Sequence, residues 1–158
     1  ALCVATLNKK SISKKDFKKF HPSGNLGAKL KSVEDLMLIK NKIPFINENS
    51  SMKKALSIIT QKKLGTLIVQ DSKKNTSGII TDGQIRRVNQ KSHSLFDLTV
   101  KQVMTKNPIK VDKDMLAVKA LSIMNEKKIT SLCVVDTVNR KKTIGILHIH
   151  NLLQDNIN

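Results

Sequence analysis

Four histidines and two cysteines hold much of the side-chain chemistry in this 158-residue chain. His21 stands in Phe20-His21-Pro22-Ser23-Gly24, a loop braced by Pro22 and Gly24. An imidazole titrates near neutral pH and can donate or accept a proton, so His21 is the one candidate catalytic group. From the residues alone, an ordinary surface histidine is the favoured reading there. His148 and His150 are two apart; on a strand they share a face, and across a strand–helix junction they need not. Two histidines with no cysteine or carboxylate beside them make a poor metal site, so no metal is expected. Thr81 precedes a helical segment, where its hydroxyl can cap the helix or meet an anion at free backbone N–H groups; one residue can do both. Gln84, three residues on, can accept on one oxygen only. Arg86 and Arg87 read as an exposed helix face rather than an anion site. Cys3 and Cys133 lie in apolar runs and read as small buried hydrophobes, which fits a reducing cytosol. His93 sits in a polar linker and carries no signal.

The elements that position these residues come twice. Ala55-Leu56-Ser57-Ile58 recurs 65 residues later as Ala120-Leu121-Ser122-Ile123, and the stretch from Gln61 to Asp71 lies over Glu126 to Asp136 at the same spacing. Val33-Glu34-Asp35-Leu36-Met37 matches Val100-Lys101-Gln102-Val103-Met104, and Gly78-Ile79-Ile80 matches Gly145-Ile146-Leu147, both 67 residues apart. The spacing changes fall in turns, where insertions are tolerated.

Each copy predicts one order of elements. Ile43-Pro44-Phe45-Ile46 and Pro108-Ile109-Lys110-Val111 are short extended segments with proline at a strand start. Met52, Ala55, Leu56 and Ile59 keep helical spacing, as do Leu116, Ala117, Ala120, Leu121 and Met124. Strands follow at Thr66 to Gln70 and Gly78 to Ile80, then at Ser131 to Val135 and Ile144 to Leu147. Polar turns separate them, Asp71 to Ser77 and Asp136 to Lys142. Closing helices run from Gly83 to Gln90 and from Ile149 to Gln154. The unit is β-α-β-β-α, and one copy of about 60 residues buries so little core that two should pack together.

Composition narrows the function classes. Lys and Arg number 29 against 12 Asp and Glu, a formal charge of +17. The lysines come as scattered pairs, arginine is scarce, and aromatics are 3% of the chain, which leaves no stacking platform and argues against a nucleic-acid site. An anionic small molecule stays compatible with the charge. Two cysteines cannot staple a chain of this length. No run approaches the roughly 20 apolar residues of a membrane span. The opening Ala1-Leu2-Cys3-Val4 stretch has no basic residue before it, as a signal peptide would. It reads as the inside of a helix, so the chain reads as a piece of a longer protein. Ser13 and Asp16 form a capping-box pattern for a helix from Lys14 to Phe20.

The repeats resemble a tandem pair of cystathionine-β-synthase-type (CBS) domains, a Bateman module. Asp35-Leu36-Met37, Gly78-Ile79-Ile80-Thr81-Asp82, Val103-Met104-Thr105-Lys106-Asn107-Pro108 and Gly145-Ile146-Leu147-His148 carry that likeness. More narrowly, the chain resembles the C-terminal half of D-arabinose 5-phosphate isomerases. The match lies in Phe20-His21-Pro22-Ser23-Gly24-Asn25-Leu26-Gly27, Thr81-Asp82-Gly83-Gln84-Ile85-Arg86-Arg87 and Leu147-His148-Ile149-His150-Asn151-Leu152-Leu153. Ser23 stands where that family has glycine, and Gln84 and Asn151 where it has aspartate.

The resemblance implies an α/β fold of α+β type. A remnant of a sugar-isomerase (SIS) domain would occupy residues 1–30, the first CBS domain 31–92 and the second 93–158. It implies a regulatory CBS pair of an enzyme that interconverts ribulose 5-phosphate and arabinose 5-phosphate for Kdo and lipopolysaccharide synthesis. This segment lacks the upstream Ser/Thr-rich phosphate loop and catalytic Lys and Glu, and is expected to be inactive alone. His21 would be catalytic only when joined to the SIS domain. Effector contacts would fall to Thr66, Thr81, Asp82, Gln84, Ser131, His148, His150 and Asn151. In CBS domains the hydroxyl position meets phosphate, and an aspartate three residues on takes ribose hydroxyls. The expected effector is a nucleotide or a nucleotide sugar such as a CMP-linked sugar acid, with no cofactor required. The expected partner is the chain itself, as a dimer through the CBS pair and a tetramer in the full-length enzyme, in the cytoplasm. A stand-alone CBS nucleotide sensor, a basic nucleic-acid-binding protein and a decaying remnant are the other readings.

Overall fold

The 65- and 67-residue spacings become two four-stranded sheets in the computed structural model, which describes residues 30–91 and 94–157. Cys3, the Ser13–Asp16 capping pattern, the helix from Lys14 to Phe20, His21, Ser23 and His93 lie outside the described residues. The first copy runs α1 (Val33–Leu36), β1 (Leu38–Ile39), β2 (Phe45–Asn47), α2 (Met52–Lys62), β3 (Thr66–Gln70), β4 (Thr76–Thr81) and α3 (Asp82–Lys91). The second runs α4 (Val100–Val103), β5 (Thr105–Lys106), β6 (Lys110–Asp112), α5 (Ala117–Lys127), β7 (Ser131–Val135), β8 (Thr143–His148) and α6 (Ile149–Gln154).

The elements follow the local chemistry. Ser51 opens α2, its Oγ accepting from the Lys54 N–H at 3.3 Å, as an N-cap serine does. Both long helices stop at a lysine in the left-handed region, Lys63 at φ 55° and Lys128 at φ 53°. Among the described residues, the expected strands and helices of both copies are present, some with shifted ends. The two proline segments become strands only from Phe45 and Lys110, because each proline lacks the N–H a ladder needs. The β4 and β8 strands are longer than Gly78 to Ile80 and Ile144 to Leu147, and α3 starts one residue earlier, at Asp82. Leu116 corrects the expected apolar face of α5: it is the N-cap residue and stays 45% exposed.

Sheet order is β2-β3-β4-β5 in one sheet and β1-β8-β7-β6 in the other. In each, the middle strands form an antiparallel pair, and β2 or β6 joins them in parallel. The fourth strand comes from the other copy: β5 pairs antiparallel with β4, and β1 with β8. The leading helices cross over with them. Val33 is fully buried among Val111, Ala117, Ala120 and Leu152, whereas Val100 and Val103 are buried among Ile46, Met52 and Ala55. Matching backbone bonds hold each crossing, Val33 N–H to Met115 O at 2.8 Å and Val100 N–H to Ser50 O at 2.9 Å. A third core joins the sheets through Ile43, Ile68, Cys133 and Ile146. Truncating a buried methionine such as Met52 to alanine costs about 2–5 kcal/mol in cores of this kind.

Candidate functional site

The strand–helix junctions of the two copies open into one cavity of about 770 Å³. One wall is Lys63, Leu64 and Gly65 after α2, with Thr81 to Gln84 and Arg87 where β4 enters α3. The facing wall is Lys128 to Ser131 after α5, with His148 to His150 where β8 enters α6. Thr105 and Asn107 to Ile109 close one side.

Each junction is fixed by the same backbone bond, Asp82 N–H to Gly65 O at 2.9 Å and Ile149 N–H to Thr130 O at 2.8 Å. Gly65 sits at φ +61°, and a Cβ there would fall 2.6 Å from Asp82 Oδ2. The positive φ favours glycine there, while the Asp82 carboxylate, the end of an exposed side chain, could swing aside. The second copy has Thr130 and Ile149 in those places, so its wall lacks a carboxylate.

The sequence-derived residues are sorted by this geometry. Thr81, Asp82, Gln84, Ser131, His148 and His150 line the cavity. Thr66 and Asn151 are not among the lining residues. Thr66 is 1% exposed, and its Oγ1 lies 3.2 Å from Ser131 Oγ, behind the wall. Asn151 Oδ1 instead accepts from the His148 N–H at 3.1 Å.

His148 is the N-cap of α6, and its Nδ1 accepts from the His150 N–H at 3.2 Å. The two rings lie 4.8 Å apart. Burial, with His150 beside it, holds His148 below the usual imidazole range. The neutral ring is therefore the stable form, with its proton on Nε2. The Gln84 amide is occupied at both ends: Oε1 accepts from Thr105 Oγ1 at 2.9 Å, and Nε2 donates to the Val103 carbonyl. Gln84 thereby clips α3 to the segment that crosses from the second copy.

Cations outnumber anions around the cavity, with Lys63, Arg87 and Lys128 against Asp82. Such a wall suits an anion, and the interspersed Leu64, Ile79, Ile109 and Ile129 suit an apolar face. Lys63, Lys128 and the Asn107–Ile109 segment did not stand out in the sequence. The two lysines occupy equivalent places in the repeat, and that was the available signal. Arg87 reaches the cavity while Arg86 does not, so only one of the pair fits the exposed-face reading alone. Among the described residues, no three or more His, Cys, Asp or Glu are gathered as a metal site. Among them also, no helix is long and apolar enough to cross a membrane.

Two copies of one unit, facing across a shared cavity, agree with the comparison to known families. The CBS-domain model matches residues 33–91 and 100–155. The chain belongs to the CBS-domain family. This CBS pair is 38% identical over 155 residues to the arabinose 5-phosphate isomerase KdsD of Salmonella typhimurium, covering 98% of this chain and 46% of that protein. It thus spans about half the length of the curated relatives it matches. Among solved structures, CBSX2 of Arabidopsis thaliana in complex with AMP aligns with a TM-score of 0.66 at 24% identity, over 78% of this chain and 93% of that one. The CBS pair of MJ0100, in complex with 5′-methylthioadenosine and S-adenosyl-L-methionine, aligns at 0.69 and 21% identity, over 79% and 94%. At those identities the structures show the shared fold.

Proposed function

We propose that this CBS pair senses a nucleotide or nucleotide-sugar effector in the cavity between its copies and regulates an attached arabinose 5-phosphate isomerase domain. The observation that carries the reading is the cavity itself, built from both copies and edged by Lys63, Arg87 and Lys128. Its volume lies in the range of about 300–1,000 Å³ usual for small-molecule sites. The likeness to KdsD supports the attached activity, and the AMP and S-adenosylmethionine complexes of the structural neighbours support the ligand class. The natural feedback ligand is the activated end product, a CMP-linked sugar acid. An effector that favours one arrangement of the two copies shifts the population of the attached domain. Self-association, as a dimer of CBS pairs, belongs to the same proposal.

The test is calorimetric titration of this chain with AMP, S-adenosylmethionine, CMP, a CMP-linked sugar acid and arabinose 5-phosphate. One saturable ligand class, raising thermal stability by about 2.7 kcal/mol at a hundredfold excess over Kd, supports the reading. Binding weakened by Thr81→Val or Lys128→Glu places the ligand in the cavity. No saturable ligand, with steeply salt-dependent DNA binding instead, overturns it. For the attached activity, the full-length protein is assayed for ribulose 5-phosphate isomerisation with and without the effector found.

A further inference from the structure

The two crossings differ at one matched place. The repeat spacing of 67 residues sets Asp155 over Val88 and Leu98 over Lys31. Val88 and Leu98 are partly buried and pack on the apolar core that holds Met52 and Val100. Their counterparts are charged. Lys31 Nζ donates to Asp155 Oδ1 at 2.6 Å and lies 2.5 Å from Oδ2. The two side chains are only 25% and 28% exposed, and Asp155 Oδ2 is sealed from solvent with Lys31 as its counter-charge. Asp155 is the C-cap of α6, at the negative end of the peptide dipoles, where a carboxylate is disfavoured without a cation beside it.

Lys31 also opens the segment that crosses to the second copy. Three backbone bonds lace that segment to the residues leading into α5: Val33 N–H to Met115 O at 2.8 Å, Glu34 N–H to Lys113 O at 2.9 Å and Ala117 N–H to Lys31 O at 2.8 Å. The α6 helix runs from its cap His148, in the cavity wall, to Asp155, a length of about 9 Å. Asn156, at φ 57°, then turns the chain back, and Ile157 joins Val33 and Leu152 in one core, 1% exposed. We propose that α6 is a coupling element: its first turn follows the state of the cavity wall, and Asp155 passes that state through Lys31 to the segment entering at Val33. An ion pair suits this role. When it opens it leaves charge uncompensated, so it has two distinct states, closed and open, whereas the apolar Val88 and Leu98 have no such step. As a route for regulation the clasp rests on the effector reading above; the coupling itself is a property of the folded chain without ligand.

The experiment is backbone hydrogen exchange of the ligand-free chain, read amide by amide by NMR, in wild type, His148→Ala, Asp155→Asn and the two combined. His148→Ala uncaps α6, because His148 Nδ1 accepts the His150 N–H. The reporters are the Val33, Glu34 and Ala117 amides. The controls are Met52, Val100 and Lys101, which make the matching bonds to Leu98, Ser50 and Glu48 in the other half. Expected is a speeding of about three- to tenfold at the reporters in each single variant, with the controls unmoved. The double variant should exchange no faster than the faster single one, since both changes open the same clasp. Fully additive speeding, equal speeding of the controls, or no change at Val33 in His148→Ala overturns the proposal. If His148→Ala does not fold, Asn151→Ala removes the acceptor of the His148 N–H and is read in the same way. Lys31→Leu with Asp155→Val, which copies the first half, should keep slow exchange at Val33 and remove its response to the loss of the cap; a response that persists overturns the role of the ion pair. No ligand enters the measurement, so its outcome and that of the effector titration are told apart.

Discussion

Thr66 and Ser131, equivalent residues of the two copies, bond to each other hydroxyl to hydroxyl at 3.2 Å in the buried seam between the sheets. Thr76 and Thr143 repeat the pattern at 2.7 Å, with the Thr143 N–H also donating to Thr76 Oγ1 at 3.0 Å. A residue that meets its own counterpart lies on the pseudo-two-fold axis relating the copies. The axis is therefore marked by two buried polar pairs within an otherwise apolar seam. Removing one partner strands the other. Thr66→Val should cost about 1–3 kcal/mol in urea unfolding, whereas Thr66→Val with Ser131→Ala should cost less than the sum of the two single changes. Additive costs would show that the pair does not couple the copies.

Gly78 and Gly145 admit the crossing strands. Gly78 pairs with Lys106 and Gly145 with Ile39. A Cβ on Gly78 would lie 2.9 Å from the Thr105 carbonyl oxygen and 2.5 Å from Met104 Sδ. At Gly145 the obstacles are Met37 Sδ, the far end of a flexible side chain, and the Leu38 oxygen at 3.2 Å. Gly78→Ala should therefore destabilise more than Gly145→Ala, by about 1–3 kcal/mol for the first. Thermal unfolding of the two variants side by side checks the order.

Stability should fall as the solution turns mildly acidic, and His148 should account for part of the fall. Its folded pKa lies below the unfolded value of about 6.5, because burial and His150 disfavour the charged ring. As pH drops past the unfolded value, the unfolded chain takes the proton first, so stability present above that pH is lost down to the folded pKa. The melting temperature between pH 7.5 and 5.5 should drop less in His148→Gln than in wild type. Asp71 and Asp136 titrate in a lower window. Backbone N–H groups hold both below the usual carboxylate range, so what they contribute is lost only as pH falls through that lower pKa.

Cys133 should be inert to thiol reagents in the folded chain. It is fully buried, and burial pushes its thiol up to about 11. The thiolate is the reactive species, so at pH 8 little of it exists even where reagent reaches. Peptide mapping after labelling should find Cys133 unmodified in buffer and modified in urea. Labelling in buffer at the urea rate would contradict the packing of Cys133 between the sheets.

Leu116 marks where periodicity stops informing. It keeps helical spacing with Ala120 yet serves as the exposed N-cap of α5, because spacing does not reveal where a helix begins. The Ile149–Gln154 helix, by contrast, has the ends read from the sequence, with His148 and Asn151 forming its capping box and Asp155 its C-cap. Hydrophobic spacing and turn residues are local properties, so the two β-α-β-β-α copies, the buried faces of both long helices and the buried Cys133 were legible from the amino acids alone.

The crossing of the leading segments was not. The β1 and β5 strands are two residues each and carry no alternating apolar signal, so only the glycines opposite them and the packing of Val33 and Val100 select their partners. The site divides the same way. The helix start after Thr81, the His148–His150 spacing and the CBS resemblance brought Thr81 and His148 forward as candidates. Tertiary structure decided that Lys63 and Lys128 join them, that Thr66 lies behind Ser131, and that the Gln84 amide is spent on the Val103 carbonyl, whereas Asn151 is spent locally, in the capping box of α6. Those outcomes depend on which groups meet across 19 to 65 residues of chain, at about hydrogen-bond distance, and only the folded packing sets that.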